Sequence, residues 1–338
     1  MVNKSRVSKL YNLYFQEPIQ KGDVPAIVGR LKKHLSHRIK KTPIALIVEI
    51  CNLCNYTCET CPTKRDLITR PKVLMKFEDY KKIIDNSKDI IDRVSLYWTN
   101  EPLTHKDIGK FIRYAKKNKL ITYISTNTSL LTEKVARDLL EAELDVITVC
   151  MDGMSRESYR EFRGADDFEI VKSNIINLTR LKRELNARTT VRLQFILNKY
   201  NQDEVDSVIS FAEKHGVDEL ALKTFGLPGY FYGEEGRQRL IKKFLPTKKG
   251  IDKRFNEEDY SLIKKDPTKC DGPTSGVSVT VEGDIALCCY DFTAKHIYGN
   301  LIRHKLRDIL ASQGAKKILA GGENMQYEIC QNCQYVGQ

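Results

Sequence analysis

Four cysteines, Cys51, Cys54, Cys58 and Cys61, fall within eleven residues, directly after an apolar run from Ile44 to Ile50. Paired C-x2-C hooks are the usual arrangement for tetrahedral zinc, because each hook offers two thiolates to one ion. The last three cysteines instead read C-x3-C-x2-C. Three thiolates leave one corner of a cubane iron–sulfur cluster without a protein ligand, and an open iron binds a substrate or cofactor. Redox chemistry is therefore expected of this loop, beyond scaffolding. A second group, Cys270, Cys288, Cys289, Cys330 and Cys333, reads C-x17-C and then, after a long gap, C-x2-C. Taken alone, that group fits a structural zinc site. Cys150, inside an apolar run, reads as core, and Cys51 as a small buried residue at a strand end.

The elements that must position these groups follow from the hydrophobic pattern. Strands are expected at 44–50, 93–99, 121–127, 146–152, 191–197 and 219–225, with helices near 77–90, 106–118, 132–142, 168–185 and 202–214. The runs at 146–152 and 191–197 read as apolar on both faces, as parallel strands covered by helices are. Six βα units without two clear halves, and without a Gly-rich turn after the first strand, favour an α/β fold, a partial (β/α)6 barrel. Barrel chemistry collects at the C-terminal strand ends. Polar groups fall there: the cysteine loop, Asn100-Glu101-Pro102, Ser125-Thr126-Asn127, Asp152-Gly153 and Lys223-Thr224. Glycines at 226, 229, 233 and 236 amid basic residues mark 227–269 as a bridging segment. Val277–Val281 and Ile285–Cys289, flanking Glu282-Gly283-Asp284, read as a hairpin opening a small C-terminal β-hairpin/helix extension.

With its place after a strand, the Cys54, Cys58, Cys61 triplet resembles the signature of the radical S-adenosylmethionine superfamily, across about residues 44–225. The resemblance implies a [4Fe-4S] cluster on those three thiolates, whose open iron chelates the amino and carboxylate groups of S-adenosylmethionine. It also implies reductive cleavage of that cofactor to a 5′-deoxyadenosyl radical, chemistry that cluster and cofactor supply while the protein positions them. Glu101, in Trp98-Thr99-Asn100-Glu101-Pro102, resembles the acid of the family's GGEP motif, which binds the cofactor's ammonium group, although the glycines are absent. A carboxylate beside an ammonium forms a charge-assisted hydrogen bond. The plainer reading of Glu101 is a surface helix cap. By the same resemblance, Ser125 and Asn127 stand at the ribose-contacting strand end, and Asp152 and Arg163 where the ribose and the cofactor carboxylate are held. Thr60 occupies a place that is commonly aromatic, which leaves the adenine contact unassigned.

Beside such a core, the second cysteine group resembles the SPASM/twitch extension, in which Gly-Asn, here Gly299-Asn300, also recurs. The resemblance implies one auxiliary [4Fe-4S] cluster on Cys270, Cys288, Cys330 and Cys333, a count similar to that of family members acting on aminocyclitols and sugars. Adjacent strand residues point to opposite faces, so Cys289 is expected to face away from that cluster. There it could return a hydrogen atom to a substrate radical, with Asp291 as a base, a hydroxyl anchor or a turn cap. The expected organisation is a basic helical segment at 1–43, a radical core at 44–226, the bridge at 227–269 and the auxiliary-cluster domain at 270–338. The expected activity is hydrogen abstraction from a hydroxylated small molecule, giving a ketone by oxidation or an epimer. An external electron donor of flavodoxin or ferredoxin type is implied. Modification of a peptide or protein is the alternative. A zinc-stabilised nucleic-acid-binding protein is another, invited by the net charge of +12 but without an RNP-like, KH or zinc-finger pattern.

That charge is uneven. Residues 1–43 carry ten Lys or Arg against Glu17 and Asp23. Ile27, Val28, Leu31, Leu35 and Ile39 share one helical face there. Residues 24–41 therefore suit contact with an anionic partner or a membrane surface, or packing across the open end of the core. No apolar run reaches the roughly 18 residues of a membrane span, and the start lacks a signal peptide's apolar stretch. A cytoplasmic protein is expected, in which ten cysteines point to metal in preference to disulfides.

Overall fold

A computed structural model describes residues 45–65, 68–227, 232–248, 251, 255–256, 270–331 and 333, so the basic segment 1–43 lies outside the described residues. Six parallel strands, β1 (Ala45–Val48), β2 (Arg93–Ser95), β3 (Ile121–Thr126), β4 (Val146–Cys150), β5 (Thr190–Leu197) and β6 (Glu219–Thr224), pair in sequence order. Helices α1 (Phe77–Asp85), α2 (Ile108–Lys117), α3 (Glu133–Glu141), α4 (Arg156–Arg163) with α5 (Phe168–Glu184), and α6 (Val205–His215) fill the five crossovers. The sheet does not close, which is the partial barrel expected. The free edge of β1 is taken by β7 (Val277–Val279), parallel to it with Leu46 opposite Val277 and Val48 opposite Val279. β8 (Asp284–Ala286) and β9 (Ile297–Asn300) then add antiparallel, making one sheet of nine strands. The hairpin turns at Gly283, whose φ of 85° suits a residue without a Cβ. The extension therefore covers an edge that would otherwise present unpaired backbone groups.

The pleat explains both faces. Leu46, Val48, Val94, Ile124, Ile147, Val149, Val191, Leu193 and Phe195 lie on one face, at most 1% exposed, and join the helices in one apolar core. Their neighbours in sequence point the other way. Register places Ser125 beside Thr148, Thr148 beside Arg192 and Arg192 beside Glu219, and in the next rank Cys150 beside Gln194. The expectation that 146–152 and 191–197 are apolar on both faces fails at these positions. Arg192 and Gln194 alternate with three large apolar residues, and that is a half-polar strand.

Helix α4 lies in a stretch read only for Arg163. Five of its eight residues are charged and only Tyr159 and Phe162 are large and apolar, so in sequence it reads as a charged stretch. Ser155 and Ser158 form a reciprocal capping box, and Gly164 closes the far end at φ 68°. The bridging segment also holds more structure than its glycines suggest. Within it, α7 (Gly233–Phe244) buries Leu240, Ile241 and Phe244 against Phe162, Phe225 and Phe255. After β9, α9 (Leu306–Ala311) and α10 (Gln313–Glu323) lead to the short α11 (Glu328–Gln331), while a single turn, α8 (Gly272–Ser275), precedes β7. No helix among the described residues is long and apolar enough to cross a membrane.

Candidate active site

The cysteine loop is irregular, and backbone and side-chain groups at three strand ends and in the bridge hold its shape. At the end of β2, Glu101 donates its backbone N–H to Leu53 (2.9 Å), and Thr63 donates its hydroxyl to the Thr99 carbonyl (2.7 Å). At the end of β3, Asn127 donates Nδ2 to Asn55 Oδ1 (2.9 Å), and Asn55 donates to Ser129 (2.9 Å). Beyond β4, the Tyr56 hydroxyl lies 3.0 Å from that of Tyr159 and donates to Asp167 (2.9 Å). From the bridge, Lys243 reaches Glu59 (2.7 Å), which sits between two of the cysteines. Buried loop backbone needs such partners.

Within this frame Cys54, Cys58 and Cys61 lie in electrostatic reach of one another, and Glu101 and Arg163 share the neighbourhood. Burial pushes the Cys54 thiol up to about 12, and the Glu101 charge adds to that. Burial also raises Cys58, against the opposing pull of Arg163. Thiols so desolvated become thiolates only beside a compensating positive charge, which iron supplies. The donor set therefore fits a cluster. Among the described residues no three His, Cys, Asp or Glu side chains converge on a single metal ion. A cubane takes each thiolate on a different iron, so its ligands stand further apart than those of one ion.

Glu101 is 2% exposed. One carboxylate oxygen accepts from Thr126 Oγ1 (2.7 Å) and Leu103 N (3.1 Å), the other from Asn127 N (2.7 Å). The bond to Leu103 caps the short turn Pro102–Thr104, so the capping reading holds, but at a buried site and not at the surface. Burial pushes the carboxyl up to about 7 despite the three donors. Ser125 is half-buried, its Oγ 3.8 Å from Cys150 Sγ. The Asn127 amide is committed to Asn55 and Ser129, so it shapes the cysteine loop. Asp152 is fully buried, paired with Arg163, and accepts from Ile196 N (2.6 Å). The two residues expected to hold different parts of the cofactor thus hold each other. Cys51 is buried and accepts from Asn100 Nδ2 (3.1 Å).

In the extension, Cys288 and Cys333 lie within electrostatic reach in a small apolar cluster with Tyr290, while Cys270 is anchored by its N–H to Glu323 (3.0 Å). Cys330 donates its backbone N–H to the Tyr327 carbonyl (2.9 Å). β8 ends at Ala286, so Cys288 and Cys289 sit in a turn and the strand alternation used to separate them does not apply. Cys289 is exposed and lies in reach of Cys270 and of Tyr97. Asp291 is fully buried, and its two oxygens accept from Lys295 N and His296 N (both 2.9 Å). It caps a turn, one of the three readings its place in the sequence allows.

Two further groups carry no motif in the sequence. Glu49, last polar residue of an apolar run, is fully buried beneath the loop with Arg70. Trp98 donates its indole N–H to the Cys289 carbonyl (2.7 Å), bringing the strand end of Glu101 against the extension. A charge ending a run of apolar strand residues was the available signal for the first.

An open parallel sheet carrying a three-thiol loop at its first strand end defines an α/β protein of the partial-barrel class. Residues 48–212 match the sequence model of the Radical SAM superfamily, and residues 270–334 that of an iron–sulfur cluster-binding domain, SPASM. The chain belongs to the radical S-adenosylmethionine superfamily and carries a SPASM-type extension. A probable GTP 3′,8-cyclase of Metallosphaera sedula is 24% identical over 271 residues, 72% of this chain and 80% of that protein. BtrN in complex with AdoMet and 2-DOIA aligns with a TM-score of 0.52 at 18% identity, covering 88% of this chain and 95% of BtrN. SuiB of Streptococcus suis, bound to its precursor peptide SuiA, aligns with a TM-score of 0.62 at 14% identity, covering 92% and 76%. At such identities the structural likeness speaks for the fold. The two domains imply a [4Fe-4S] cluster with S-adenosylmethionine and an auxiliary iron–sulfur cluster. The zinc-stabilised nucleic-acid-binding alternative is thereby set aside.

Proposed function

We propose that this radical SAM enzyme abstracts a hydrogen atom from a hydroxylated small molecule, such as a sugar or aminocyclitol, and releases an oxidised ketone or an epimer. When bound, the cofactors supply the deoxyadenosyl radical and one-electron redox capacity. The chain's own residues bind, orient and shield. In this reading Cys54, Cys58 and Cys61 hold the primary cluster, and Cys270, Cys288, Cys330 and Cys333 the auxiliary one. The buried Glu101 carboxylate receives an ammonium, which is favourable because that charge replaces lost hydration. Arg163, held by Asp152, faces the thiol loop as a fixed cation.

The observation that carries the substrate reading is the polar face of the sheet. Ser125, Thr148, Arg192, Gln194, Glu219 and Lys223 stand in ranks on the side away from the helices, with Arg192 and Glu219 paired at 2.6 Å. Hydroxyl, amide and charged groups in register suit a ligand rich in hydroxyls, since each buried ligand oxygen needs a partner. The decisive experiment is anaerobic reconstitution with dithionite and S-adenosylmethionine, offering deuterated sugars and aminocyclitols beside peptides. Deuterium transfer into deoxyadenosine from a carbinol position is expected. Transfer from peptides alone would replace this reading with peptide modification.

A further inference from the structure

A carboxylate at the end of an apolar strand has a steep burial cost unless its partners are fixed. Glu49 is such a group, fully buried five residues before Cys54. Arg70 grips it with both terminal guanidinium nitrogens, Nη1 at 2.7 Å and Nη2 at 3.0 Å, and the same Arg70 reaches Glu282 at 3.0 Å. Glu49 also accepts from Thr99 Oγ1 and from Val281 N (3.2 Å). Its own N–H goes to Val279 (2.9 Å). These partners come from three places: the segment after the cysteine loop, the strand end just before Glu101, and the hairpin turn of the extension. The contact continues outward, where Arg70 approaches the Phe292 carbonyl (3.5 Å), Trp98 donates to Cys289 and the Trp98 and Phe292 rings lie 6.2 Å apart.

We infer that Glu49, through Arg70 and Glu282, is a positioning residue that sets the extension's hairpin and its Cys288–Cys289 turn against the strand ends bearing the cysteine loop and Glu101. A two-pronged Arg–carboxylate pair fixes direction as well as distance, which an apolar contact does not. A second carboxylate on the same guanidinium extends that fixed geometry from barrel to hairpin. The inference rests on the proposed function only where it concerns turnover.

Trp98 is the sole tryptophan of the chain and lies on this contact, so it reports the junction directly. The test uses Glu49→Gln, Arg70→Lys and Glu282→Gln in the full chain. Before cluster reconstitution, the Trp98 emission is expected to shift to longer wavelength and to become more open to acrylamide. After reconstitution, iron content and substrate-free deoxyadenosine formation are expected to stay within about twofold of the parent, while product per deoxyadenosine falls about tenfold. Unchanged emission together with an unchanged product ratio overturns the inference. A parallel fall in iron, deoxyadenosine and product also overturns it, because that is general damage. Should Glu49→Gln fail to fold, Glu282→Gln keeps the Glu49–Arg70 pair and carries the test, since Glu282 is 36% exposed. Should the parent itself release no deoxyadenosine, the proposed function fails, and the Trp98 emission alone decides the junction.

Discussion

Glu101 closes a turn beside the thiol loop and, in the proposed function, also receives a cation there. Its carboxyl is raised from an ordinary 4.5 to about 7, chiefly by burial. A raised acid favours the folded state when protonated, so this contribution is complete below about pH 4.5 and is lost as pH rises through about 7. The cofactor-free protein should therefore lose about 3 kcal/mol over that window from this group. Melting temperature against pH in Glu101→Gln checks it, with a flatter profile expected. The same variant should lose most of its S-adenosylmethionine affinity, read by equilibrium dialysis on the reconstituted protein. In the proposed function, Cys289 is the group that would return a hydrogen atom to give the epimer. Oxidation needs no hydrogen donor, so Cys289→Ala should leave ketone formation within about threefold and abolish epimer formation. An unchanged product ratio removes the epimerase branch. That the thiols and Glu101 share one neighbourhood was legible, because cysteine spacing marks the loop and Glu-Pro marks a strand end beside it. The mutual pairing of Asp152 with Arg163 was not, since nothing in a sequence tells whether two opposite charges meet a ligand or each other.

Elements were legible wherever one face is apolar and the segment long. All six parallel strands and five of the crossover helices fell where alternation and 3.6-residue spacing put them, with ends overshooting by a few residues as fraying ends do. α4 escaped because five of its eight residues are charged and only two aromatics mark its buried face. The polar ranks of β4 and β5 escaped because large apolar residues outweigh an Arg or Gln between them. The cysteine loop depends on α4. Tyr56→Phe removes the donor to Asp167 and the partner of Tyr159, and should cost about 1–3 kcal/mol. Faster iron loss to a chelator under anaerobic conditions would show it. Gly153 is tighter still, because an added Cβ would lie 2.4 Å from Tyr159 N and 2.6 Å from Ser158 Oγ. Gly153→Ala should push α4 off the sheet at a cost of about 1–3 kcal/mol, measured as a lowered melting temperature.

The described strands all share one sheet, although the two matched domains are separated in sequence by residues 213–269. β1 sits between β2 and β7, hydrogen-bonded on both sides. Barrel and extension should therefore unfold together, as one calorimetric transition in the reconstituted protein. Two separated transitions would show that the β1–β7 seam contributes little. That seam was not legible in sequence, because a hairpin's own pattern does not say which outer edge it joins.

The pairing of Leu46 with Val277 also bears on how the chain reaches its native state. β1 leaves the ribosome more than two hundred residues before β7 and cannot complete its ladder until they have followed. Contacts so distant in sequence close late, after the loop-closing entropy of the intervening chain has been met. In that interval an apolar strand keeps an open edge, a template for pairing with other nascent chains. Soluble yield should thus respond to synthesis temperature and chaperone supply more than to stability of the finished protein.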